Sequence, residues 1–369
     1  MKMIDTISLL IPRDKMTFFS GSSNWELNSK TEQYEKFVRN PNKSEKMTGK
    51  YFPRLTGYAR KFSREKNVRI EFSAPKLLYL NNLEELEETD FDKLIEVLQE
   101  RLRAMDVIVS KEILESAYVS SVHFSKNILL QNGYTSNYII SEINKIDLKK
   151  SFDFARTRFI NDGQSLYAHT TTHQLVIYDK VADLDKDKKR AIDKDQTLCQ
   201  RNLFSQISNA RQEIIRFEAR ISQKQKLNKL LEELGYPKNP TFKEIFKTEI
   251  SKIVIADYWE RVIKERSLGL FSISPSDKDV LQSLLLKNSN LKPKQAIYLF
   301  GLLRLARSEN GIRQLRAITS KRSKDRTWYR MAKDIERANE LTTESTLQNW
   351  VMQIDKAFAD YKPYKINEK

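Results

Sequence analysis

Hydrophobic and polar residues alternate with a period of two in several short segments of the first 223 positions. The alternation is clearest in NVRIEFS (67–73), YVSSVHFSK (118–126), QLVIYDK (174–180) and IIRFEARI (214–221). A period of two is typical of a strand with one apolar and one polar face. We expect a further strand at MIDTISLLIP (3–12). The simplest assembly of these strands is an antiparallel sheet with one covered face and one open polar face.

Segments with helical spacing lie between the strands and take over after Gln223. TDFDKLIEVLQERLRAM (89–105) and TSNYIISEINKI (135–146) are amphipathic and would cover the apolar face of the sheet. A long helix is predicted at 240–265, with Thr241 as its N-cap. The chain is therefore predicted to belong to the α+β class, with an antiparallel sheet and helices on one face.

The change of pattern predicts two parts, an α+β domain at 1–223 and a helical C-terminal region at 224–369. Neither a Gly/Ser-rich nor a Pro-rich linker separates the two parts, so we expect them to pack together. The first part would hold a catalytic site, and the second would bind nucleic acid or mediate assembly.

The chain is strongly basic, with 65 Lys and Arg against 49 Asp and Glu and a net charge of +16. Such a protein attracts polyanions, because each phosphate that it neutralises releases counterions. Nucleic acid is therefore the leading predicted partner; the alternative is a soluble surface in a lysine-rich organism. The single cysteine, Cys199, excludes an internal disulfide and fits a reducing cytoplasm. No apolar run approaches the ~18–20 residues of a membrane span, so no membrane partner is expected.

The polar face of the predicted sheet would bring together seven side chains that carry charge or exchange protons. They are Glu71, His123, Tyr178, Lys180, Arg216, Glu218 and Arg220. A polar sheet face is often only a solvated surface with cross-strand ion pairs. Histidine and carboxylates beside a tyrosine and a lysine favour a second interpretation, a catalytic site.

Tyr178 is the candidate nucleophile of this site. A tyrosine hydroxyl has a pKa of ~10 and is a poor nucleophile without assistance. Lys180 lies two residues further on, hence on the same strand face, and its ammonium would stabilise the phenolate. A divalent ion bound by Glu71 and His123 would polarise a scissile phosphate, and this mixed ligand set favours Mg²⁺ or Mn²⁺. The alternative for Tyr178 is an aromatic side chain that only packs within the sheet.

Two motifs give the chain a resemblance to a known family. LVIYDK (175–180) looks like the segment that carries the nicking tyrosine of the gene II/X family of filamentous-phage replication initiators, and RFEARI (216–221) is close to that family's most recognisable motif. Weaker similarities follow in the same order as in the family. They are MIDTISLLIP (3–12), RIEFSAPKLLYLNN (69–82), VSSVHFS (119–125) and SKDRTWYRMAKDIERAN (323–339).

The resemblance implies a rolling-circle replication initiator of a phage or plasmid. Such an enzyme nicks one strand of double-stranded origin DNA, keeps a 5′-phosphotyrosine, leaves a free 3′-OH and later rejoins the displaced single strand. It implies Tyr178 as the nucleophile, Lys180 as its partner and Glu218, inside the RFEAR motif, as a third metal ligand. His123 stands where the family has an acidic residue, and Glu71 lies two positions from the family's strand carboxylate. Host helicase and polymerase would be partners, and an oligomer could form on DNA.

Residues of two segments are predicted to contact DNA. They are Arg216, Arg220, Lys321, Arg322, Lys324, Arg326, Trp328 and Arg330. Arginine and lysine bind backbone phosphates, and an aromatic ring stacks on bases. Two other functions remain open, a non-catalytic origin-binding or repressor protein and a metal-dependent nuclease that uses water. The alternative for the second segment is an amphipathic helix with a tryptophan in the core.

Overall fold

The computed structural model describes most of the chain in eleven segments. They are residues 4–19, 25–30, 34–60, 66–148, 152–160, 164–184, 212–273, 275–288, 290–309, 311–342 and 346–366. Cys199 lies outside these segments. All of the predicted site residues lie within them.

Ten strands of the described segments form one antiparallel sheet in the order β3-β4-β5-β6-β1-β8-β12-β11-β10-β9. The strands are β1 (Ile4–Pro12), β3 (Glu26–Lys30), β4 (Tyr34–Arg39), β5 (Arg54–Arg60), β6 (Lys66–Ser73), β8 (Tyr118–Leu129), β9 (Asp153–Ile160), β10 (Ser165–His169), β11 (His173–Asp179) and β12 (Ile214–Ile221). A separate pair joins β2 (Thr17–Phe18) to β7 (Val107–Ile108). The four strands predicted from alternation and the further strand predicted at 3–12 are confirmed, and they form the centre of the sheet.

Fourteen α-helices lie in the described segments. They are α1 (Lys43–Met47), α2 (Ala74–Tyr79), α3 (Phe91–Ala104), α4 (Lys111–Ser116), α5 (Ser136–Asn144), α6 (Lys180–Leu184), α7 (Lys224–Glu233), α8 (Phe242–Ile245), α9 (Thr248–Asp257), α10 (Asp277–Gln282), α11 (Pro293–Arg307), α12 (Gly311–Thr319), α13 (Asp325–Thr342) and α14 (Asn349–Asp360). Helices α9 and α10 continue as π-helical turns at Tyr258–Lys264 and Ser283–Lys287. None of these helices combines the length and the hydropathy that a membrane span requires. The α+β class and the helical C-terminal region are therefore confirmed.

The helix predicted at 240–265 is not continuous. Thr241 caps α8 as expected, through a capping box with Glu244. The helix then ends at Phe246, whose ψ of 47° leaves the helical range, and α9 begins two residues later. The Phe246 ring packs on Phe91 and on Phe242, with ring centres 5.0 and 5.7 Å apart. The break thus turns this aromatic side chain into the core.

The apolar face of the sheet and the C-terminal helices share one hydrophobic core. Phe217 of β12 contacts Trp259 and Phe358 edge-on, with ring centres 5.7 and 5.4 Å apart. Trp259 also packs on Trp350 at 6.3 Å. Buried residues on both sides of position 223 belong to the same cluster. The boundary at 223 therefore marks a change of pattern along the chain, while the core continues across it.

The opposite, polar face of the sheet is covered at one end. We call residues 80–87, helix α6 and residues 362–366 together the cover. Leu83, Tyr364 and Ile366 pack with Ile214 in a small apolar cluster. The Glu85 backbone N–H donates to the Tyr364 carbonyl at 3.0 Å, and the Tyr364 N–H donates to Glu85 Oε2 at 2.7 Å. These contacts keep solvent from part of the polar face.

We predict that Phe217→Ala destabilises the sheet and the helical region together, by about 3–5 kcal/mol, because it opens a cavity in their shared core. Urea unfolding followed by far-UV circular dichroism and by tryptophan fluorescence should give one coincident transition in both proteins. Leu286→Ala, at a side chain 75% exposed, is the control and should change stability by at most about 0.5 kcal/mol. Two separated transitions would contradict a shared core.

Candidate active site

A cavity of about 580 Å³ lies on the polar face of the sheet. Five of the seven residues predicted for this face line it, namely Glu71, His123, Tyr178, Glu218 and Arg220. Register explains the grouping, because cross-strand neighbours project to the same side of a sheet. Tyr178 is paired with Arg216, Glu218 with Ser125, and Arg220 with His123.

Glu218 is the centre of the polar contacts in this cavity. Arg220 Nε donates to Glu218 Oε2 at 2.6 Å, and the Tyr178 hydroxyl donates to Glu218 Oε1 at 3.0 Å. Arg216 Nε lies 3.4 Å from the same Oε1. Burial raises the pKa of Glu218, but Arg220 and Arg216 outweigh burial and lower it below the usual range. Both carboxylate oxygens of Glu218 are thus engaged by protein groups, and its role as a metal ligand stays a prediction.

Arg216 is an internal residue, which corrects its prediction as a DNA contact. Its side chain is 1% exposed. Its guanidinium donates to Asp5 Oδ1 at 3.2 Å, to Ser125 Oγ at 2.9 Å and to the Asn82 carbonyl at 2.8 Å. Asp5 reaches it because the pairing of β1 with β8 shifts register between Ile4 and Thr6. Asn82 belongs to the cover, so the Arg216 guanidinium forms hydrogen bonds both to the cover and to the sheet.

The surroundings of Tyr178 favour its protonated hydroxyl over the phenolate. Burial raises the pKa of Tyr178 well above its ordinary value, and the negative charge of Glu218 raises it further. Arg216 acts in the opposite direction and does not outweigh them. The side chain is 5% exposed and borders the cavity. Nucleophilic attack would therefore require a group that removes this proton.

Lys180 is the first residue of α6 and is fully buried. Its ammonium nitrogen lies 5.7 Å from the centre of the Tyr178 ring and donates to Asn82 Oδ1 at 2.8 Å. Burial, followed by the positive charge of Arg216, lowers the pKa of Lys180 to about 7. The amine therefore divides between its charged and neutral forms near neutral pH. The neutral amine can accept a proton, and the charged ammonium can donate one.

His123 and Glu71 lie two and four strand spacings from Tyr178. Strands β1, β8 and β12 separate β6 from β11, so at about 4.8 Å per strand the backbones of Glu71 and Tyr178 are roughly 20 Å apart. Burial and the charge of Arg220 lower the pKa of His123, which keeps its imidazole neutral and able to bind a metal. Glu71 pairs with Arg69 at 3.1 Å.

The described residues include no group of three or more His, Cys, Asp or Glu side chains arranged to hold a metal ion. Glu218 is engaged by two arginines, and the strand order keeps Glu71 away from Tyr178. The Mg²⁺ or Mn²⁺ cofactor stays a prediction.

The second predicted DNA-binding segment lies at the start of α13. Its exposed basic residues are Lys321, Arg322, Lys324, Arg326 and Arg330. Trp328 is 2% exposed and packs 5.7 Å from the Arg316 guanidinium, which corrects its prediction as a stacking surface. Its neighbour Tyr329 is 49% exposed and is the aromatic residue that a nucleic acid could reach.

Several residues of the site were missed from the sequence. Asp5 sits at a register shift that alternation does not reveal. Asn82 is placed by a turn in which Asn81 Oδ1 accepts from the Leu83 and Glu84 N–H groups at 2.9 and 3.0 Å. The consecutive asparagines at 81 and 82 indicate a turn, although not its partner. Lys46, Arg54, Lys76 and Asp183 also line the cavity.

We predict that Glu218→Ala destabilises the protein by about 3–5 kcal/mol, because it leaves the buried charge of Arg216 with one carboxylate fewer. Equilibrium urea unfolding measures the change. Glu233→Ala is the control, since Glu233 is exposed and lies 3.9 Å from its lysine partner; a change of at most about 0.5 kcal/mol is expected. Equal effects of both substitutions would contradict the role assigned to Glu218.

We predict that the stability difference between the native protein and Lys180→Met depends on pH. The pKa of Lys180 is about 7 in the folded chain and 10.5 as the reference for the unfolded chain. The unfolded state therefore binds more protons between these values, and the native protein gains stability relative to the variant as pH rises through this window. We expect a gain of roughly 2–5 kcal/mol between about pH 6 and pH 10. Urea titrations at both pH values measure it, and a constant difference would refute the assigned pKa.

Comparison with known proteins does not assign the chain to a family. No protein-family model, no curated protein and no solved structure matches the chain. Functional inference for this protein therefore begins from its own residues.

Proposed function

We propose that this protein is a tyrosine nickase that initiates rolling-circle replication and rejoins the displaced strand. The observation behind the proposal is a tyrosine hydroxyl that borders a cavity lined by an arginine, a histidine and carboxylates. The net charge of +16 supports a polyanionic substrate. The similarity of LVIYDK and RFEARI to the phage initiators supports DNA as that substrate and Tyr178 as the nucleophile.

In the proposed reaction, Tyr178 Oη forms a bond to phosphorus while the bond from phosphorus to the 3′ oxygen breaks. The products are a 5′-phosphotyrosine and a 3′ oxygen that takes up a proton. Neutral Lys180 accepts the tyrosine proton, once a movement of α6 brings its amine to the hydroxyl. Arg220, whose side chain is 27% exposed, faces the phosphate charge. Because one phosphodiester replaces another, the reverse reaction can rejoin the strand.

The proposed partners are duplex origin DNA and the displaced single strand. The exposed basic residues at the start of α13 would bind the backbone, with Tyr329 beside them. Host helicase and polymerase would act on the 3′-OH, and several copies could assemble on DNA. Mg²⁺ or Mn²⁺ remains the proposed cofactor, and of the predicted ligands His123 and Glu71 are those that face the cavity without contacting Tyr178.

A second candidate function is an origin-binding or repressor protein without catalytic activity. The burial of Tyr178 and its raised pKa favour this candidate, because the hydroxyl of a residue only 5% exposed that donates to a carboxylate is a poor nucleophile as it stands. This candidate shares the basic charge and the exposed α13 segment with the nickase. It differs in leaving no covalent bond between protein and DNA.

We predict that Tyr178→Phe abolishes a covalent protein–DNA adduct, because the substitution removes only the hydroxyl. Purified protein is incubated with Mg²⁺ or Mn²⁺ and labelled supercoiled DNA that carries the sequence flanking the gene. Denaturing electrophoresis then shows label attached to protein, and mass spectrometry identifies the modified residue.

Tyr118→Phe is the matched control for this experiment. Tyr118 is 51% exposed, packs beside Lys224 and lies outside the residues that line the cavity. It should form the adduct as the native protein does. An undiminished adduct in Tyr178→Phe would remove Tyr178 from the mechanism. DNA binding without any adduct in the native protein would favour the non-catalytic candidate.

A further inference from the structure

The end of the cavity remote from Tyr178 is lined by cations. Lys46 of α1, Arg54 of β5 and Lys76 of α2 line it, together with one carboxylate, Glu71. Glu71 is already paired with Arg69 at 3.1 Å. Within the described segments, Lys46 and Arg54 form no ion pair. Lys46 and Arg54 therefore bring two positive charges to this end of the cavity that no carboxylate of the described segments pairs with.

Two buried polar atoms at the same end lack a hydrogen-bond partner in the described part of the chain. They are Arg54 Nε and Ser73 Oγ. Ser73 is 6% exposed and lies on the same face of β6 as Glu71. Among the described residues with such atoms, only these two line the cavity. A buried donor without a partner is costly, and both atoms would gain a partner if a small side-chain movement opened them to a ligand with acceptor oxygens.

We propose that Arg54, Ser73 and Lys46 form a phosphate subsite that binds the backbone of the nucleic acid at a distance from the cleaved bond. The proposal rests on the proposed function for the identity of the strand. A phosphodiester has the acceptor oxygens that a guanidinium and a hydroxyl require. Two observations support this subsite. Among the described residues, Arg54 Nε and Ser73 Oγ lack hydrogen-bond partners, and Lys46 and Arg54 lack ion-pair partners, at the end of the cavity opposite Tyr178.

The strand order determines how far this subsite lies from Tyr178. Four strand spacings separate β6, which carries Ser73, from β11, so the two backbones are roughly 20 Å apart. A stacked nucleic acid strand rises about 3.4 Å per nucleotide, so about six nucleotides would span this distance. The subsite therefore positions a strand that extends across the sheet and does not touch the reacting atoms. Arg54 and Ser73 are positioning residues in this proposal.

Fluorescence anisotropy with a labelled twelve-residue oligothymidylate tests the subsite over a range of salt concentrations. Arg54→Gln should weaken binding about tenfold at low salt and reduce the slope of log K against log salt by about 0.7, the value for one phosphate contact of a single strand. Ser73→Ala should weaken binding about threefold and leave the slope unchanged. Its thermal midpoint should not fall, because the hydroxyl has no partner to lose.

Lys50→Gln is the matched control. It removes one positive charge from the same part of the chain, at a lysine 51% exposed that pairs with Glu100 and does not line the cavity. It should bind within twofold of the native protein. A twelve-residue methylphosphonate analogue, which lacks the backbone charge, should bind the native protein and Arg54→Gln equally weakly.

Equal loss of affinity in Lys50→Gln and Arg54→Gln would overturn the subsite, and so would native affinity in both Arg54→Gln and Ser73→Ala. No measurable binding of oligothymidylate to the native protein would also overturn it. The adduct assay separates this result from the proposed function. Arg54-dependent binding without a Tyr178 adduct would leave the subsite standing and reject the nickase, whereas an adduct with Arg54-independent binding would do the reverse.

Discussion

The burial of Arg216 in the middle of the sheet is the constraint on which the site depends. A guanidinium 1% exposed loses its hydration and is tolerated only when anions and hydrogen-bond acceptors surround it. Asp5 of β1, Ser125 of β8, Glu218 of β12 and the carbonyl of Asn82 together meet this requirement. Three central strands and the cover must therefore be in register before the charge is satisfied, and Tyr178 and Lys180 take their positions from this arrangement.

The same cluster sets the protonation of the groups around it. Two arginines keep Glu218 ionised, and ionised Glu218 in turn holds the Tyr178 proton. Arg216 contributes to the lowered pKa of Lys180, after burial. A phosphate that entered the cavity would compete with Glu218 for Arg220, and a Glu218 carboxylate less compensated by Arg220 would accept the hydrogen bond of the Tyr178 hydroxyl more strongly.

The sequence predicts the elements better than their arrangement. Alternation in 214–221 correctly separates Phe217 and Ala219 from Arg216 and Glu218, because it follows the pleat of one strand. It contains no information on which strands are neighbours, so it groups Glu71 with Tyr178 although four strand spacings separate them. Alternation also does not predict that the cover buries part of the polar face, because the contact between Glu85 and Tyr364 joins residues 279 positions apart. The inner position of Trp328 could be predicted from spacing, because the apolar Ile335 lies seven residues further on and so on the same face of the helix. Both side chains are buried.

The strand order also has a consequence for biosynthesis. Strand β1 pairs with β8 more than a hundred residues later, and β12 is inserted between β8 and β11. The middle of the sheet therefore cannot close until the ribosome has released residues 214–221. Until then β8 and β11 each present an unpaired edge to other nascent chains. Such long-range pairing slows folding and exposes intermediates to aggregation, so a holdase chaperone should benefit the yield of this protein.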